Sequence, residues 1–247
     1  MPRRPRVESI GFHHLVNRGV ARGDIFLKSL DFEKFLEILL EAKQRYDFSL
    51  HSFCLMSNHY HLLIETKHEN LSLIARQINS KYAQYFNKQY KRVGPLWQGR
   101  FKNYFVYDEN YLYILLRYIE RNPIKANITK TIGKYKWSAS SFLIFGSYAE
   151  LVCDSLLCDK ELFSLLDTEL TTDDLRKLDT LQKTTYTKEQ SGVKRQKQNT
   201  LEIYFDKLTS LQQRDEAIKQ AVLDGYKQSE IAEFLKLSRT TISKSIK

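Results

Sequence analysis

Two apolar runs, FSLHSFCLM at Phe48–Met56 and HYHLLIE at His59–Glu65, are separated only by the polar dipeptide Ser57-Asn58. Runs of this length, rich in Phe, Leu and Ile and broken by a short polar turn, read as the two arms of a β-hairpin. An antiparallel sheet is therefore the frame around which the rest of the chain has to fold. Upstream, Phe12–Asn17 reads as a further strand. Phe32, Phe35, Leu36, Leu39 and Leu40 then recur at helical spacing across 31–45, with Asp31 placed to cap that helix. Downstream, a helix is expected over 71–90, interrupted by Gly94-Pro95, followed by a strand in RFKNYFVYD. A helix should then open near Asp108 and end before Pro123, because proline disfavours helical geometry in the residue ahead of it. The order β-α-β-β-α-β-α is the split β-α-β arrangement: an α+β fold, ferredoxin-like or RRM-like, with helices packed on an antiparallel sheet.

This core is expected over residues 1–148, with a helical extension of mixed pattern over 149–183. Residues 184–200, TTYTKEQSGVKRQKQNT, hold almost no apolar groups and cannot offset the entropy of ordering, so they read as a linker. Amphipathic order returns over 201–247, where one helix ends near Asp224-Gly225 and a second carries Ile231, Ala232, Phe234 and Leu235. Ser238 is placed to cap a third helix, held by Ile242 and Ile246. Three short helices with a tight turn before the last make a helix-turn-helix module, with Arg239, Thr240, Thr241 and Lys244 facing outward toward a duplex major groove. The turn, Lys236-Leu237, lacks glycine, and the competing reading is a helical packing or dimerisation module.

With 247 residues, 42% of them hydrophobic, the chain can bury one sizeable core. Lys and Arg outnumber Asp and Glu by 39 to 29, and the net charge of +10 favours a polyanionic partner, nucleic acid above all. Cys54, Cys153 and Cys158 form no even framework and lack zinc-knuckle spacing, which fits a reducing cytoplasm. No apolar run approaches the roughly 18 residues of a membrane span. The expectation is a cytoplasmic, nucleoid-associated protein with no membrane partner.

Side chains alternate across a strand, so His59 and His61 share one face while Tyr60 and Leu62 share the other. Two neutral imidazoles in an apolar strand carry a desolvation cost unless their nitrogens are satisfied, and a divalent cation does that. A histidine pair facing solvent is the alternative. The helix NYLYILLRYIERN over 110–122 supplies a complement: Tyr118 and Asn122, four residues apart on one face, present a phenol as nucleophile and an amide oxygen as hard ligand. Tyr111, two turns earlier, competes with Tyr118. His13 and His14 are candidates for groups supporting the pair but read first as structural or solvent-facing, and Glu65, which shares the histidines' face and is a candidate to approach the metal, reads first as a surface carboxylate.

In order and in separation, MSNHYHLLIE, GPLWQGRFK and LRYIERNPIKA resemble the single-tyrosine HUH transposases of small bacterial insertion sequences, most of all the REP-associated tyrosine transposases, over roughly residues 8–148. The resemblance implies an HUH endonuclease core in which His59, His61 and Asn122 hold Mg²⁺ or Mn²⁺. It further implies that Tyr118 attacks a phosphodiester of single-stranded or hairpin DNA, leaving a 5′-phosphotyrosine and a free 3′-hydroxyl for cleavage and rejoining. Glutamine often stands at the third ligand position in the insertion-sequence enzymes, and Asn122 resembles the REP-associated branch. Family members differ in whether the tyrosine serves its own chain or a partner in a homodimer.

For holding DNA, the segment from Arg76 to Arg92 interleaves Arg76, Lys81, Lys88 and Arg92 with Tyr82, Tyr85, Phe86 and Tyr90. Cations suit phosphates and rings suit unpaired bases, although half of these rings should be core. Arg100, with Trp97 and Gln98, matches a family motif that lies near bound DNA. Two further functions compete: a catalytically inert DNA-binding regulator derived from a transposase, and a rolling-circle replication initiator or relaxase, whose motifs commonly come in another order.

Overall fold

The hairpin is the centre of a four-stranded antiparallel sheet in the computed structural model, which describes residues 9–183, 186–189, 192–195, 201–205, 210–223, 226 and 228–245. Its strands are β1 (Gly11–Arg18), β2 (Phe48–Met56), β3 (His59–Thr66) and β4 (Lys102–Phe105), in the spatial order β2-β3-β1-β4. Every residue of β2 is buried, the polar Ser49, His51 and Ser52 included, so both faces of the sheet are covered there. Helices α1 (Ser29–Tyr46) and α2 (Leu71–Gln89) pack on the face that carries Tyr60: the Phe35 and Tyr60 rings lie 5.0 Å apart and the Tyr60 hydroxyl donates to Asn79 Oδ1 at 3.1 Å. Helix α3 (Glu109–Glu120) covers the opposite face, where Ser52 Oγ donates to the buried Glu120 carboxylate at 2.6 Å. The α+β architecture expected from the element order is the one the chain adopts.

Asp31 corrects one expectation. It lies inside α1, at the third position, and caps from there by accepting the Leu27 and Lys28 amides at 2.8 and 2.9 Å. The same buried carboxylate accepts the Tyr85 and Tyr90 hydroxyls of the α2 segment at 3.0 and 2.8 Å. Asp108 behaves as expected, accepting the Tyr111 amide at 2.8 Å at the start of α3. Pro123 does not end helical structure outright, since it occupies the first turn of a short α4 (Asn122–Lys125), where its missing N–H has no partner to lose. Helices α5 (Ala139–Phe145), α6 (Ala149–Val152), α7 (Lys160–Ser164) and α8 (Thr172–Lys183) follow. Leu151, Val152, Leu157 and Leu166 from this stretch are buried in the same core as the sheet, so apolar packing carries this compact unit as far as Leu181.

The second unit, Gln182–Lys247, is taken by itself. Within the segment expected as a linker, β5 (Tyr186–Glu189) and β6 (Gly192–Arg195) pair antiparallel, because a backbone ladder forms without the apolar side chains that the segment lacks. Helices α9 (Leu201–Phe205), α10 (Leu211–Leu223), α11 (Gln228–Phe234) and α12 (Arg239–Ser245) gather around Ile218, Ala221, Tyr226, Ile231, Ala232 and Ile242. Ser238 caps α12 by accepting the Thr241 amide at 3.1 Å. Lys236, at φ 53°, takes the left-handed turn position without a glycine. Phe234, expected inside, is 38% exposed. Ile246 and the side chains of Arg239 and Lys244 lie outside the described residues. No helix among the described residues is long and apolar enough to cross a membrane.

Candidate active site

Strand register decides which side chains surround the histidine pair. Opposite residues in an antiparallel ladder share a face. β1 sets Arg18 across from His59 and Val16 across from His61, while β4 sets Lys102 across from Val16 and Tyr104 across from His14. By parity one face therefore carries His14, Arg18, His59, His61, Lys102 and Tyr104. Helix α3 lays Tyr118 over this face: its ring centroid is 5.6 Å from that of His61 and 6.4 Å from that of His14. The His59 and His61 rings are 5.1 Å apart and nearly perpendicular at 85°.

Each imidazole of the pair is anchored through Nδ1. His59 Nδ1 lies 2.6 Å from Asn58 Oδ1, and His61 Nδ1 lies 2.9 Å from Nε2 of His14. Both Nε2 atoms are thereby left as the donors a metal would use. Burial, helped by the nearby Arg18 charge, holds the pKa of His59 at about 4, and burial holds His14 at about 3. His61 is pushed well below the usual imidazole range by burial, with the positive charge of protonated His14 and His59 acting in the same direction. At neutral pH all three rings are uncharged, the state in which an imidazole binds a cation.

Asn122 starts α4 with its amide nitrogen donating to the Tyr118 carbonyl at 2.7 Å, which leaves the amide oxygen to serve a ligand. Among the described residues no group of three His, Cys, Asp or Glu side chains could hold a metal ion. Glu65 is directed instead to His51, 3.2 Å away. Tyr111 is buried, with its hydroxyl unpartnered and its ring packed on Tyr107 at 6.1 Å. Burial raises the Tyr118 pKa, and the Arg18 charge pulls it back down.

Beside the histidines, Arg18, Gln98, Arg100 and Lys102 line a cleft of about 200 Å³. The Gln98 amide donates to the Arg18 carbonyl at 2.9 Å, which draws the segment around Arg100 against the end of β1. Trp97 is a structural tryptophan here, donating its indole N–H to the Asn79 carbonyl at 2.9 Å. The α2 cations are not gathered with the histidines. Arg76, Lys81 and Lys88 are exposed on the helix that packs on the other face; Lys81 is ion-paired with Glu41, and Arg92 stacks 5.6 Å over the Phe86 ring. Of the four aromatic residues of that segment, Tyr82 and Phe86 are core, while Tyr85 and Tyr90 are partly exposed with their hydroxyls tied to Asp31. Two of the four are thus core, as expected for a helix that buries one face. In the C-terminal unit Thr240 is exposed, whereas the Thr241 hydroxyl turns to Ser238 Oγ at 2.8 Å and belongs to the cap.

Sequence reasoning missed Arg18, Lys102 and Tyr104, and it weighed His14 as a supporting group but favoured structure or solvent. Parity along β1 places His14, Val16 and Arg18 on one face, but only the pairing of β1 with β3 makes that face the one with His59 and His61.

No curated protein sequence matches the chain. Among solved structures the chain is similar to "Structure of the REP associates tyrosine transposase bound to a REP hairpin", at 18% identity and TM-score 0.49, covering 61% of this chain and 90% of that one. It is also similar to a Deinococcus radiodurans R1 protein described as a transposase, at 16% identity and TM-score 0.35, covering 49% of this chain and 97% of that one. Residues 10–122 match the family described as "Transposase IS200 like". His59, His61, Tyr118 and Asn122 all lie inside the matched residues 10–122, so it is the domain over these residues that matches the IS200-like transposases.

Proposed function

We propose that this transposase cleaves and rejoins single-stranded or hairpin DNA by a metal-assisted attack of Tyr118. The supporting observation is the seating of the Tyr118 ring 5.6 Å from His61 of its own chain, over a face whose paired imidazoles turn both Nε2 atoms away from their internal partners. His59 Nε2, His61 Nε2 and the Asn122 amide oxygen would hold Mg²⁺ or Mn²⁺. When bound, the cation neutralises the phosphodiester and orients its phosphorus for in-line attack.

The remaining work falls to side chains. Tyr118 gives up its phenolic proton, favoured by the Arg18 guanidinium, and its oxygen bonds to phosphorus. The bond from phosphorus to the 3′ oxygen breaks, and that oxygen takes up a proton to become a 3′-hydroxyl. The product is a 5′-phosphotyrosine, whose phenolate leaves more readily than an alkoxide. A 3′-hydroxyl from another strand can therefore reverse the step and join the ends without ATP. Arg18, Arg100 and Lys102 hold phosphates on either side of the scissile bond. Arg76, Lys81, Lys88 and Arg92, on the far face, are assigned to DNA flanking the cleaved strand. The C-terminal helices, through Arg239, Thr240 and Lys244, are assigned to a separate duplex contact.

The test is covalent capture of a 5′-extended hairpin oligonucleotide with Mg²⁺ or Mn²⁺, read on a denaturing gel. Tyr118→Phe should abolish capture and leave DNA binding within about twofold. Capture that persists in that variant would move the nucleophile to Tyr104 or Tyr111. A wild-type chain that binds DNA and never captures it would make the protein a DNA-binding regulator.

A further inference from the structure

We infer that His14 is a positioning residue for the metal site: by accepting a hydrogen bond from His61 Nδ1–H, it fixes the tautomer in which His61 Nε2 presents its lone pair. The inference rests on the metal-ligand reading of His59 and His61. His14 is fully buried, its ring stacks on that of His61 at 5.1 Å and 18°, and its Nε2 lies 2.9 Å from His61 Nδ1. The rings of Tyr104 and Tyr118, 5.6 and 6.4 Å away, enclose it further.

Two neutral imidazoles joined through one hydrogen bond have two proton arrangements. In the first, His14 Nε2 donates, the proton of His61 sits on Nε2, and His61 is blocked as a ligand. In the second, His61 Nδ1 donates, His61 Nε2 is free, and the proton of His14 must sit on its Nδ1. That Nδ1 is buried and without a partner in the protein, so neither arrangement is held from the far side of His14 and the choice is made at His61 Nε2. A cation at His61 Nε2 admits only the second arrangement, and the bond to His14 then fixes the ring at its other nitrogen. His14 is not itself a ligand, because its Nε2 is committed to His61 and no trio of such residues converges among those described. An imidazole that orients a metal-bound imidazole through Nδ1–H is the role that carboxylates and carbonyls fill at other sites.

The experiment measures Mn²⁺ binding by electron paramagnetic resonance and the His61 tautomer by ¹⁵N-detected histidine NMR, on the full chain without DNA. His14→Phe should weaken Mn²⁺ binding by about 10- to 100-fold, the range typical for loss of such a supporting partner. His14→Gln, whose side-chain oxygen reaches the same position, should recover binding to within about threefold of wild type, by the same supporting logic. In wild-type protein with Zn²⁺ or Mg²⁺ added, His61 should be protonated at Nδ1. Wild-type-like Mn²⁺ binding in His14→Phe overturns the inference while leaving the metal reading intact, whereas a His61 protonated at Nε2 in the metal-loaded wild type overturns both. A wild-type chain that binds no Mn²⁺ overturns the metal reading and the inference with it. Should His14→Phe fail to fold, the His14→Gln titration and the wild-type tautomer still decide.

Discussion

The ring of Tyr118 on α3 stands at 88° to the ring of His61 on β3, with centroids 5.6 Å apart, within one chain. On the proposed reading, one chain brings its nucleophile and a metal ligand together. The consequence is that the electrostatics acting on Tyr118 come from this chain too, and the group that opposes its burial is Arg18.

Arg18→Gln should therefore slow capture by about tenfold and move its pH dependence upward. Removing the guanidinium leaves burial to raise the Tyr118 pKa unopposed, so a higher pH is needed for the same fraction of phenolate. Single-turnover capture rates between pH 6 and 9.5 check this, and an unshifted profile would remove Arg18 from the chemistry.

The cleft beside the histidines predicts an asymmetry between two sets of cations. Lys102→Gln and Arg100→Gln should each lower the slope of log affinity against log salt by about 0.7, the value for one phosphate of a single strand. Arg76→Gln, on the helix covering the other face, should change single-strand affinity and slope much less. Fluorescence anisotropy across a salt series separates the two, and equal effects would place the strand elsewhere.

Acid should destabilise the fold through the buried imidazoles. Folded-state values near about 4 for His59 and about 3 for His14 lie below the 6.5 of a free imidazole. Between those limits the unfolded chain binds protons that the folded chain does not, so stability is full above pH 6.5 and falls as pH drops toward the folded values. Urea melts at pH 7.5, 5.5 and 4.5 should show this decline, and His14→Gln should flatten it.

Asp31→Ala should cost about 3 kcal/mol, because it strips the acceptor from two backbone amides and two tyrosine hydroxyls in a buried place. Tyr85→Phe should cost only about 1 kcal/mol, the net worth of one such bond. Both variants should still capture DNA where they remain folded, since Asp31 packs on the face away from the histidines. Denaturant midpoints and capture assays on the same samples check both halves of the claim.

Much of the site was legible in the amino-acid sequence because its signals are local. Period two puts His59 and His61 on one face, spacing of four puts Tyr118 and Asn122 on another, and a polar dipeptide between two apolar runs declares the hairpin. The element order then follows from the succession of periods, and with it the α+β architecture. Tertiary structure alone decided that β1 lies beside β3, because pairing between strands over forty residues apart is settled by which faces bury together and leaves no trace in local periodicity. That pairing turned His14 from a structural histidine into the partner of His61 and placed Arg18 next to His59. Burial likewise decided which two of the four rings between Arg76 and Arg92 are core, Tyr82 and Phe86, while Asp31 fixed the hydroxyls of Tyr85 and Tyr90, whose rings stay partly exposed.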